Sequence, residues 1–395
     1  MRNPTAFLKE EYDDLVSKSL DWKIQHLNGP STPHCIVNGK EVIMMTSNNY
    51  LNLANNSKVK RAAIAATKKW GAGAGAVPGI SGNLRIQKEF EERLAKFKGV
   101  EAAVAFPTGF AVNSGLIPQL IGKGDLVISD ELNHGSIIDG VRLSKAERAI
   151  YKHNDMADLE RVLNEAENNQ PVPRRILIIT DGVFSMDGDI APLPEIAKLA
   201  EEHGAMVYVD DCHGEGVLGE GRGIVHHFGL QGKVHVEGGC MGKGFGIIGG
   251  SCAGSQDLIN FAYNKSRTWL LSTSPTPATF GAAIAAIDIM EKEPKHNKKL
   301  WRLTKYFKKR VDKLGFNTGN SQTPIIPIIV GEPVKAKTLS DELFKEGVWG
   351  FPIVFPMVAR EKSRIRLQIN AGLSTADLDF ALDKLEKIGK NLEII

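Results

Sequence analysis

Short apolar runs alternate with segments of helical periodicity from about residue 57 to residue 250, and this alternation constrains the fold more than any other feature. The runs lie at residues 102–106, 126–129, 175–180, 206–209 and 234–237. Helical patterns such as 156–167 and 193–203 lie between them. Apolar runs joined by helices are typical of strands that are buried on both faces of a parallel sheet. We therefore predict an α/β protein with a mostly parallel sheet covered by helices.

Different patterns flank this region on both sides. Residues 5–27 carry apolar residues at helical spacing and predict an amphipathic helix, while Asn38-Gly39 predicts the turn of a hairpin within 35–45. After Pro294, the predicted helices and strands of an α+β unit lie at 298–314, 324–330, 339–346, 364–370 and 375–387. We therefore expect three parts, which are an N-terminal helix and hairpin (1–45), a large domain (46–290) and a small C-terminal domain (291–395).

Charge and cysteine content exclude several classes of function. Lys+Arg 49 against Asp+Glu 46 gives a net charge of +3, which is too balanced to indicate nucleic-acid binding or an anionic membrane surface. No apolar run approaches the ~20 residues of a membrane span, and the N-terminus has no apolar leader segment. No CxxC pair occurs, so no zinc site or disulfide framework is indicated. We expect a cytoplasmic protein with reduced thiols.

A glycine-rich segment surrounds one lysine. Seven of the 13 residues from Gly238 to Gly250 are glycine, and Lys243 lies among them, just past a predicted strand. A lysine on such a turn is placed to contact a bound phosphate or to capture a carbonyl group as a Schiff base. A solvated lysine on a glycine turn is the structural alternative. Gly244 stands where a nucleotide-binding P-loop needs Ser or Thr, which weakens that interpretation.

Polar residues follow other predicted strands at the points where these strands end. Asp210, Asp211 and His213 come after one strand, Ser185 lies in the segment after another, and His134 follows a third. The carboxyl ends of parallel strands share one edge of a sheet, so one crevice should collect these side chains. Such a set could bind a metal, act as acid and base, or pair with a protonated cofactor ring.

Taken together, these residues fit the requirements of pyridoxal phosphate (PLP). A lysine can hold the cofactor aldehyde, an aspartate can keep the pyridine nitrogen protonated, and a histidine can stack on the ring. Small residues from Phe106 to Asn113 precede a predicted helix, where backbone N–H groups can bind a phosphate. Arg364 and Arg366 could bind an amino-acid carboxylate in bidentate fashion or simply form surface ion pairs.

Longer motifs resemble those of a known family, the α-oxoamine synthases. The resemblance extends from 47–51 to 364–366 and is strongest in the segments 130–142, 180–189 and 210–219. It implies a PLP-dependent transferase of aminotransferase fold type I, usually a homodimer with active sites at the subunit interface. It also implies condensation of an amino acid with an acyl-CoA and release of CoA.

Within the family, the glycine C-acetyltransferase branch (2-amino-3-ketobutyrate CoA ligase) is the most similar, so glycine and acetyl-CoA are the expected substrates. The 8-amino-7-oxononanoate synthase and serine palmitoyltransferase branches are the alternatives. A CoA-independent PLP lyase and a non-catalytic PLP-binding protein also stay open.

The resemblance also implies residue roles. Lys243 would bind the cofactor aldehyde and move protons, Asp210 would pair with the pyridine nitrogen, His213 and Ser185 would contact the phenolic oxygen, and His134 would stack on the ring. The expected phosphate-binding residues are Thr108, Gly109, Phe110 and Cys240, with Ser272 and Thr273 reaching the cofactor of the neighbouring subunit. The expected binders of the amino-acid carboxylate are Asn48 and Arg366, or Arg364 if the strand register differs. No metal is expected.

Three positions depart from the family pattern. Cys240 stands where a threonine usually donates to the phosphate, and a thiol is a weaker donor. Pro78-Gly79 replaces an Arg-Thr-like pair on the acyl-CoA side. The segment 370–373 lacks the histidine that commonly ends the Arg-x-Arg motif. The change at Pro78-Gly79 puts the acyl specificity in doubt, and the three changes together are consistent with a divergent substrate or a weakened enzyme.

Overall fold

A computed structural model describes residues 3–18 and 20–395. The strands of this part of the chain are, in order, β1 (His34–Val37), β2 (Lys40–Met44), β3 (Ala102–Phe106), β4 (Leu126–Asp130), β5 (Glu147–Tyr151), β6 (Ile176–Asp181), β7 (Met206–Asp210), β8 (Val236–Cys240), β9 (Gly250–Gly254), β10 (Ile325–Gly331), β11 (Val348–Trp349), β12 (Phe351–Ile353) and β13 (Ser363–Gln368). The α-helices are α1 (Ala6–Ser17), α2 (Ser57–Trp70), α3 (Arg85–Lys98), α4 (Gly109–Leu120), α5 (Gly135–Leu143), α6 (Met156–Glu167), α7 (Leu193–Glu202), α8 (Ile224–His227), α9 (Gln256–Lys265), α10 (Arg267–Leu270), α11 (Pro277–Lys292), α12 (Lys295–Lys313), α13 (Pro333–Lys345) and α14 (Thr375–Asn391).

The predicted mostly parallel sheet is confirmed. Its order is β3-β9-β8-β7-β6-β4-β5, and β9 alone of these strands runs antiparallel to its neighbours. Val127 and Ile128 on β4 are fully buried in different apolar clusters, one on each face of the sheet. Burial on both faces explains why these strands have continuous rather than alternating apolar sequences.

Two smaller sheets contain the N-terminal hairpin and the C-terminal strands. In one sheet, β13 lies between the antiparallel strands β10 and β12. In the other, β2 pairs with β1 in a hairpin and with β11 in parallel. The predicted turn at Asn38-Gly39 is confirmed, with φ of 48° and 81°, as a two-residue primed turn requires. The division of the chain at residues 45 and 290 stays a prediction.

The helix predicted over 5–27 is too long. Helix α1 ends at Ser17, and Ser19 lies outside the described residues. Further along, the Asn28 N–H donates to the Ile36 carbonyl and the Asn38 N–H to the His26 carbonyl, so this segment is extended beside the hairpin. Tertiary pairing with β1 therefore overrides the local helical pattern.

The glycine-rich segment contains more strand than its composition indicates. The strand predicted at 234–237 begins and ends later, at Val236 and Cys240, and β9 was not predicted. A Cβ on Gly239 would lie 2.4 Å from Glu215 Oε1, so this position requires glycine for close packing. Lys243 consequently lies in the tight connection between β8 and β9.

The C-terminal helices and strands lie near their predicted positions. Helix α13 begins at Pro333, earlier than the predicted 339, because proline is favoured in the first turn of a helix. Among the helices of residues 3–18 and 20–395, none combines the length and the apolar character needed to cross a bilayer.

Candidate cofactor and active site

A pocket of about 170 Å³ lies beyond the carboxyl ends of β4, β6, β7 and β8. Nine of the residues predicted from the sequence line it, namely Thr108, Gly109, Phe110, His134, Ser185, Asp210, His213, Cys240 and Lys243. Ser136, Asp181 and Cys212 complete the lining. Side chains from separate strand ends therefore meet at one edge of the sheet, as expected for this fold class.

Lys243 offers a free amino group to this pocket. No carboxylate of the described residues lies within ion-pair distance of it. Burial alone lowers the pKa of Lys243, but Cys212, Cys240, Asp210 and Tyr50 outweigh burial and raise the pKa above its usual value. The backbone beside the lysine is fixed because a Cβ on Gly244 would lie 2.3 Å from the Glu215 carbonyl oxygen.

Asp210 is held by a hydrogen-bonded group that the sequence motifs did not reveal. Asn113 Nδ2 donates to Asp210 Oδ2 at 2.6 Å, and the Cys212 N–H donates to Asp210 Oδ1 at 3.0 Å. Tyr208 in turn donates to Asn113 Oδ1 at 2.7 Å. These bonds fix a buried carboxylate that forms no ion pair with the described residues, so the carboxylate can still pair with a protonated ligand nitrogen.

His213 is oriented by Tyr50. The Tyr50 hydroxyl lies 2.7 Å from His213 Nδ1, and Gln368 Nε2 donates to the same hydroxyl at 3.1 Å. The Tyr50 hydroxyl can donate its proton to Nδ1, and in that arrangement the imidazole proton is on Nε2. Burial and then the Lys243 cation lower the pKa of His213 well below its usual value, so the ring is neutral.

His134 and Asp181 lie on the other side of the pocket. His134 Nδ1 is 2.7 Å from Ser136 Oγ, and the His134 backbone N–H donates to Asp181 Oδ2 at 2.7 Å. Burial and the neighbouring Asp210 carboxylate raise the pKa of Asp181 well above its usual value. Asp181 therefore positions the His134 backbone, while the His134 ring stays available to the pocket.

The start of α4 provides backbone N–H donors on the remaining side of the pocket. Thr108 caps the helix by accepting from the Ala111 N–H at 3.1 Å, and the N–H groups of Gly109 and Phe110 have no acceptor in the described part of the chain. A Cβ on Gly109 would lie 2.9 Å from Cys240 Cβ. Glycine therefore keeps open the space in which an anion could contact the helix start.

The two candidate arginines differ in their partners. Arg364 forms a buried ion pair with Asp187, so its charge is neutralised. Arg366 donates to the Ser185 carbonyl and lies 3.4 Å from Asn48 Oδ1, with no carboxylate partner among the described residues. Gln368 also donates to Asn48 Oδ1, at 2.6 Å. Arg366 is therefore the cation that is free to bind a carboxylate.

Two other predicted features lie outside the pocket lining. Ser272 and Thr273 do not line it, and their predicted contact with a neighbouring subunit stays a prediction. Pro78 begins a short π-helical turn, Pro78–Gly82, that packs near Trp269. Among the described residues, no group of His, Cys, Asp and Glu side chains is arranged to hold a metal ion.

Comparison with known proteins agrees with this geometry. The family described as Aminotransferase class I and II matches residues 40–385. An 8-amino-7-oxononanoate synthase of Symbiobacterium thermophilum is 53% identical over 392 residues, 99% of each chain. A protein of the same name from Thermoanaerobacter pseudethanolicus is 50% identical over 390 residues, 98% of each chain. Serine palmitoyltransferase from S. paucimobilis with a bound PLP–myriocin aldimine superposes with a TM-score of 0.93 at 26% identity, covering 100% of both chains.

The chain therefore belongs to the class I and II aminotransferase family of PLP-dependent enzymes with fold type I. Within that class it is a member of the α-oxoamine synthases, as the sequence motifs predicted. The predicted glycine C-acetyltransferase branch is not supported, since the similar proteins reported above are 8-amino-7-oxononanoate synthases and a serine palmitoyltransferase. The pocket fits PLP because it combines a free amine, a fixed carboxylate and unpaired helix N–H groups.

Proposed function

We propose that the protein makes 8-amino-7-oxononanoate from alanine and a pimeloyl thioester. The observation that supports this most strongly is the 53% identity to an 8-amino-7-oxononanoate synthase across 99% of both chains. The bond between C7 and C8 of the product joins the parts that come from the two substrates. A seven-carbon diacid supplies C1 to C7, and alanine that has lost its carboxylate supplies the aminoethyl group.

The bonds balance for this reaction. The α-carbon of alanine forms a bond to the acyl carbonyl carbon, the carbon–sulfur bond of the thioester breaks, and the thiol leaves. The α-proton of alanine is removed before the carbon–carbon bond forms, and the departing sulfur takes a proton. The alanine carboxylate leaves as carbon dioxide, and a proton takes its place on the same carbon. Bound PLP would supply an electron sink that stabilises negative charge at the amino-acid α-carbon.

The residues of the pocket, and Asn48 and Arg366 beside it, have separate tasks in this proposal. Arg366 and Asn48 bind the amino-acid carboxylate, because Arg364 is already paired with Asp187. Lys243 Nζ would attach the cofactor and would move the proton at the substrate α-carbon. Asp210 would pair with the pyridine nitrogen, and His213 Nε2 would contact an oxygen of the ligand. His134 would stack on the cofactor ring.

The experiment compares two substrate pairs with the purified holoenzyme. We would measure thiol release and product mass with alanine plus pimeloyl-CoA and with glycine plus acetyl-CoA. We expect the first pair to react at least about 10-fold faster, since an acyl pocket discriminates by roughly that factor for each added methylene. Faster reaction of glycine with acetyl-CoA would overturn the substrate assignment and restore the glycine C-acetyltransferase prediction.

Arg366→Gln separates substrate binding from cofactor binding. It should raise the KM for alanine by about 10-fold or more, because a charge-assisted bidentate contact is lost, while the visible absorption of bound PLP persists. Arg364→Gln is the matched control. An unchanged KM for alanine in Arg366→Gln would remove Arg366 from the site.

A further inference from the structure

Two cysteines lie side by side at the floor of the pocket. Asp210 on β7 is in register with Gly238 on β8, and the Asp211 N–H still donates to the Gly238 carbonyl at 2.8 Å. Cys212 lies in the turn that follows β7, two residues after Asp210, and Cys240 is the last residue of β8, so the two cysteines lie at the ends of neighbouring strands. Neighbouring strands lie about 4.8 Å apart, and disulfides span Cα separations of about 4.4 to 6.8 Å.

The sulfur atoms of Cys212 and Cys240 both lie close to Gly109 at the start of α4. A Cβ built on Gly109 would lie 3.2 Å from Cys212 Sγ and 3.5 Å from Cys240 Sγ. Both thiols therefore lie beneath the start of α4 and line the pocket that contains Lys243. The Gly242 N–H also donates to Cys240 Sγ at 3.4 Å. The remaining cysteines, Cys35 and Cys252, are buried elsewhere, on β1 and β9.

The electrostatic surroundings give the two thiols different states. The hydrogen bond from Cys212 lowers the pKa of Cys240 to about 6 against the effect of burial, and the Lys243 cation lowers it further. The same hydrogen bond, together with burial, raises the pKa of Cys212 well above its usual value. Cys240 is therefore the cysteine of the pair that loses its proton more readily, and Cys212 is the one that keeps it. This pairing of an attacking thiolate with a resolving thiol is typical of redox-active cysteines.

We propose that Cys212 and Cys240 form a peroxide-reactive dithiol in the floor of the cofactor pocket, which a hydroperoxide converts into an intramolecular disulfide. The Cys240 thiolate attacks one peroxide oxygen, the O–O bond breaks, and hydroxide leaves, which gives a sulfenic acid. The Cys212 sulfur then attacks the Cys240 sulfur, the S–O bond breaks, and the departing hydroxide takes the Cys212 proton as water. Two thiols are oxidised and one peroxide is reduced. This modification site is additional to the proposed function and does not depend on the acyl substrate.

The first experiment treats the purified holoenzyme with hydrogen peroxide, alkylates the remaining thiols after unfolding, and maps tryptic peptides by mass. We expect the peptides 199–222 and 234–243, which contain Cys212 and Cys240, to be joined with a loss of two hydrogen atoms. Dithiothreitol should separate them. Peptides that stay separate and fully alkylated, or a disulfide that involves Cys35 or Cys252, would overturn the proposal.

Variants test the order of the two steps. In Cys212→Ser, the serine hydroxyl can still donate to Cys240 but cannot form a disulfide, so we expect mass additions of one to three oxygen atoms at Cys240 instead of a disulfide. Cys240→Thr should leave Cys212 reduced, and Cys35→Ala should still form the disulfide. If Cys212→Ser is protected from oxygen addition at Cys240, then Cys240 is not the attacking thiolate.

The cofactor provides a test that does not depend on turnover. Cys240 borders the unpaired N–H groups at the start of α4, where the phosphate of PLP would bind. Protein saturated with PLP should therefore form the disulfide more slowly than protein from which PLP has been removed by dialysis against a PLP-trapping amine. An equal rate of disulfide formation in the two samples would overturn the placement of this dithiol in the cofactor pocket.

Discussion

Two lysines of this protein, the buried Lys98 and the half-buried Lys243, have different electrostatic surroundings. Lys98, at the end of α3, is surrounded by three buried carboxylates, with Glu215 at 3.0 Å, Glu237 at 3.2 Å and Asp211 at 3.9 Å. Lys243 faces the pocket and has no carboxylate partner in the described part of the chain. The first lysine is enclosed by its ion pairs, and the second keeps its amine available.

The adjacent residues Asp210 and Asp211 produce this difference. Side chains alternate between the two faces of a strand, so Asp210 points into the pocket and Asp211 points toward Lys98 at the end of β7. Asp211 is fully buried and accepts from the Ile224 N–H at 2.9 Å. Asp210 therefore lies in the pocket, where it can contact a ligand, while the neighbouring Asp211 forms buried contacts with Lys98. The direction in which each side chain points determines this difference.

The largest expected effect is a loss of activity when Lys243, but not Lys98, is replaced. Lys243→Ala should lower turnover by at least about 1,000-fold, because a positioned proton-transfer group and the covalent anchor are both lost. Its free energy of unfolding should change by less than about 1 kcal/mol, since no carboxylate loses a partner. Thiol-release assays and urea denaturation measure the two quantities. Normal turnover in this variant would exclude Lys243 from the reaction.

The next largest expected effect is a loss of stability when Lys98 is replaced. Lys98→Met should lower the free energy of unfolding by about 3–5 kcal/mol, because Glu215, Glu237 and Asp211 would remain buried without their cation. The midpoint of urea denaturation reports this loss. Adding Glu215→Gln and Glu237→Gln to Lys98→Met should restore part of the stability. A triple variant that is no more stable than the single variant would contradict the electrostatic explanation.

The smallest expected effect tests whether Tyr50 orients His213 in the pocket. Tyr50→Phe should reduce kcat by about 10-fold, the equivalent of one hydrogen bond to the neutral ring of His213. It should also shift the pH dependence of the visible absorption of bound PLP, because the tautomer of His213 is no longer fixed. Tyr151→Phe makes the same change at a fully buried tyrosine outside the pocket and should leave both readouts unchanged. An unshifted absorption profile in Tyr50→Phe would mean that Tyr50 does not act through His213.

Local sequence patterns predicted the sheet and the principal pocket residues. The strands around Asp210 and the turn around Lys243 each carry their signal within about ten residues, as apolar runs followed by polar or glycine residues. Because parallel strands end at one edge, these separate signals combine into one site without knowledge of the tertiary structure. The prediction therefore succeeded where short-range pattern and topology agreed.

Contacts between distant segments could not be predicted in this way. Tyr50 and His213 lie 163 residues apart, and Asn113 reaches Asp210 across 97 residues. Nothing within the local motif of either partner specifies the other. Strand β9 was missed for a different reason, because a Cβ on Gly250 would lie 2.3 Å from the Thr108 carbonyl oxygen. Close packing selects glycine there, and glycine carries no apolar strand signal.

The pairing of β2 with β11 has a consequence for the order in which the protein assembles. The strand β11 (Val348–Trp349) leaves the ribosome some 300 residues after the Asn38-Gly39 hairpin. A two-stranded hairpin is marginally stable in water until a further strand or helix packs on it. Because β11 is the strand that pairs with β2, this edge of β2 stays open while the intervening residues are synthesised, and non-local pairing of this kind forms slowly. The hairpin therefore gains its third strand only after the large sheet has been synthesised.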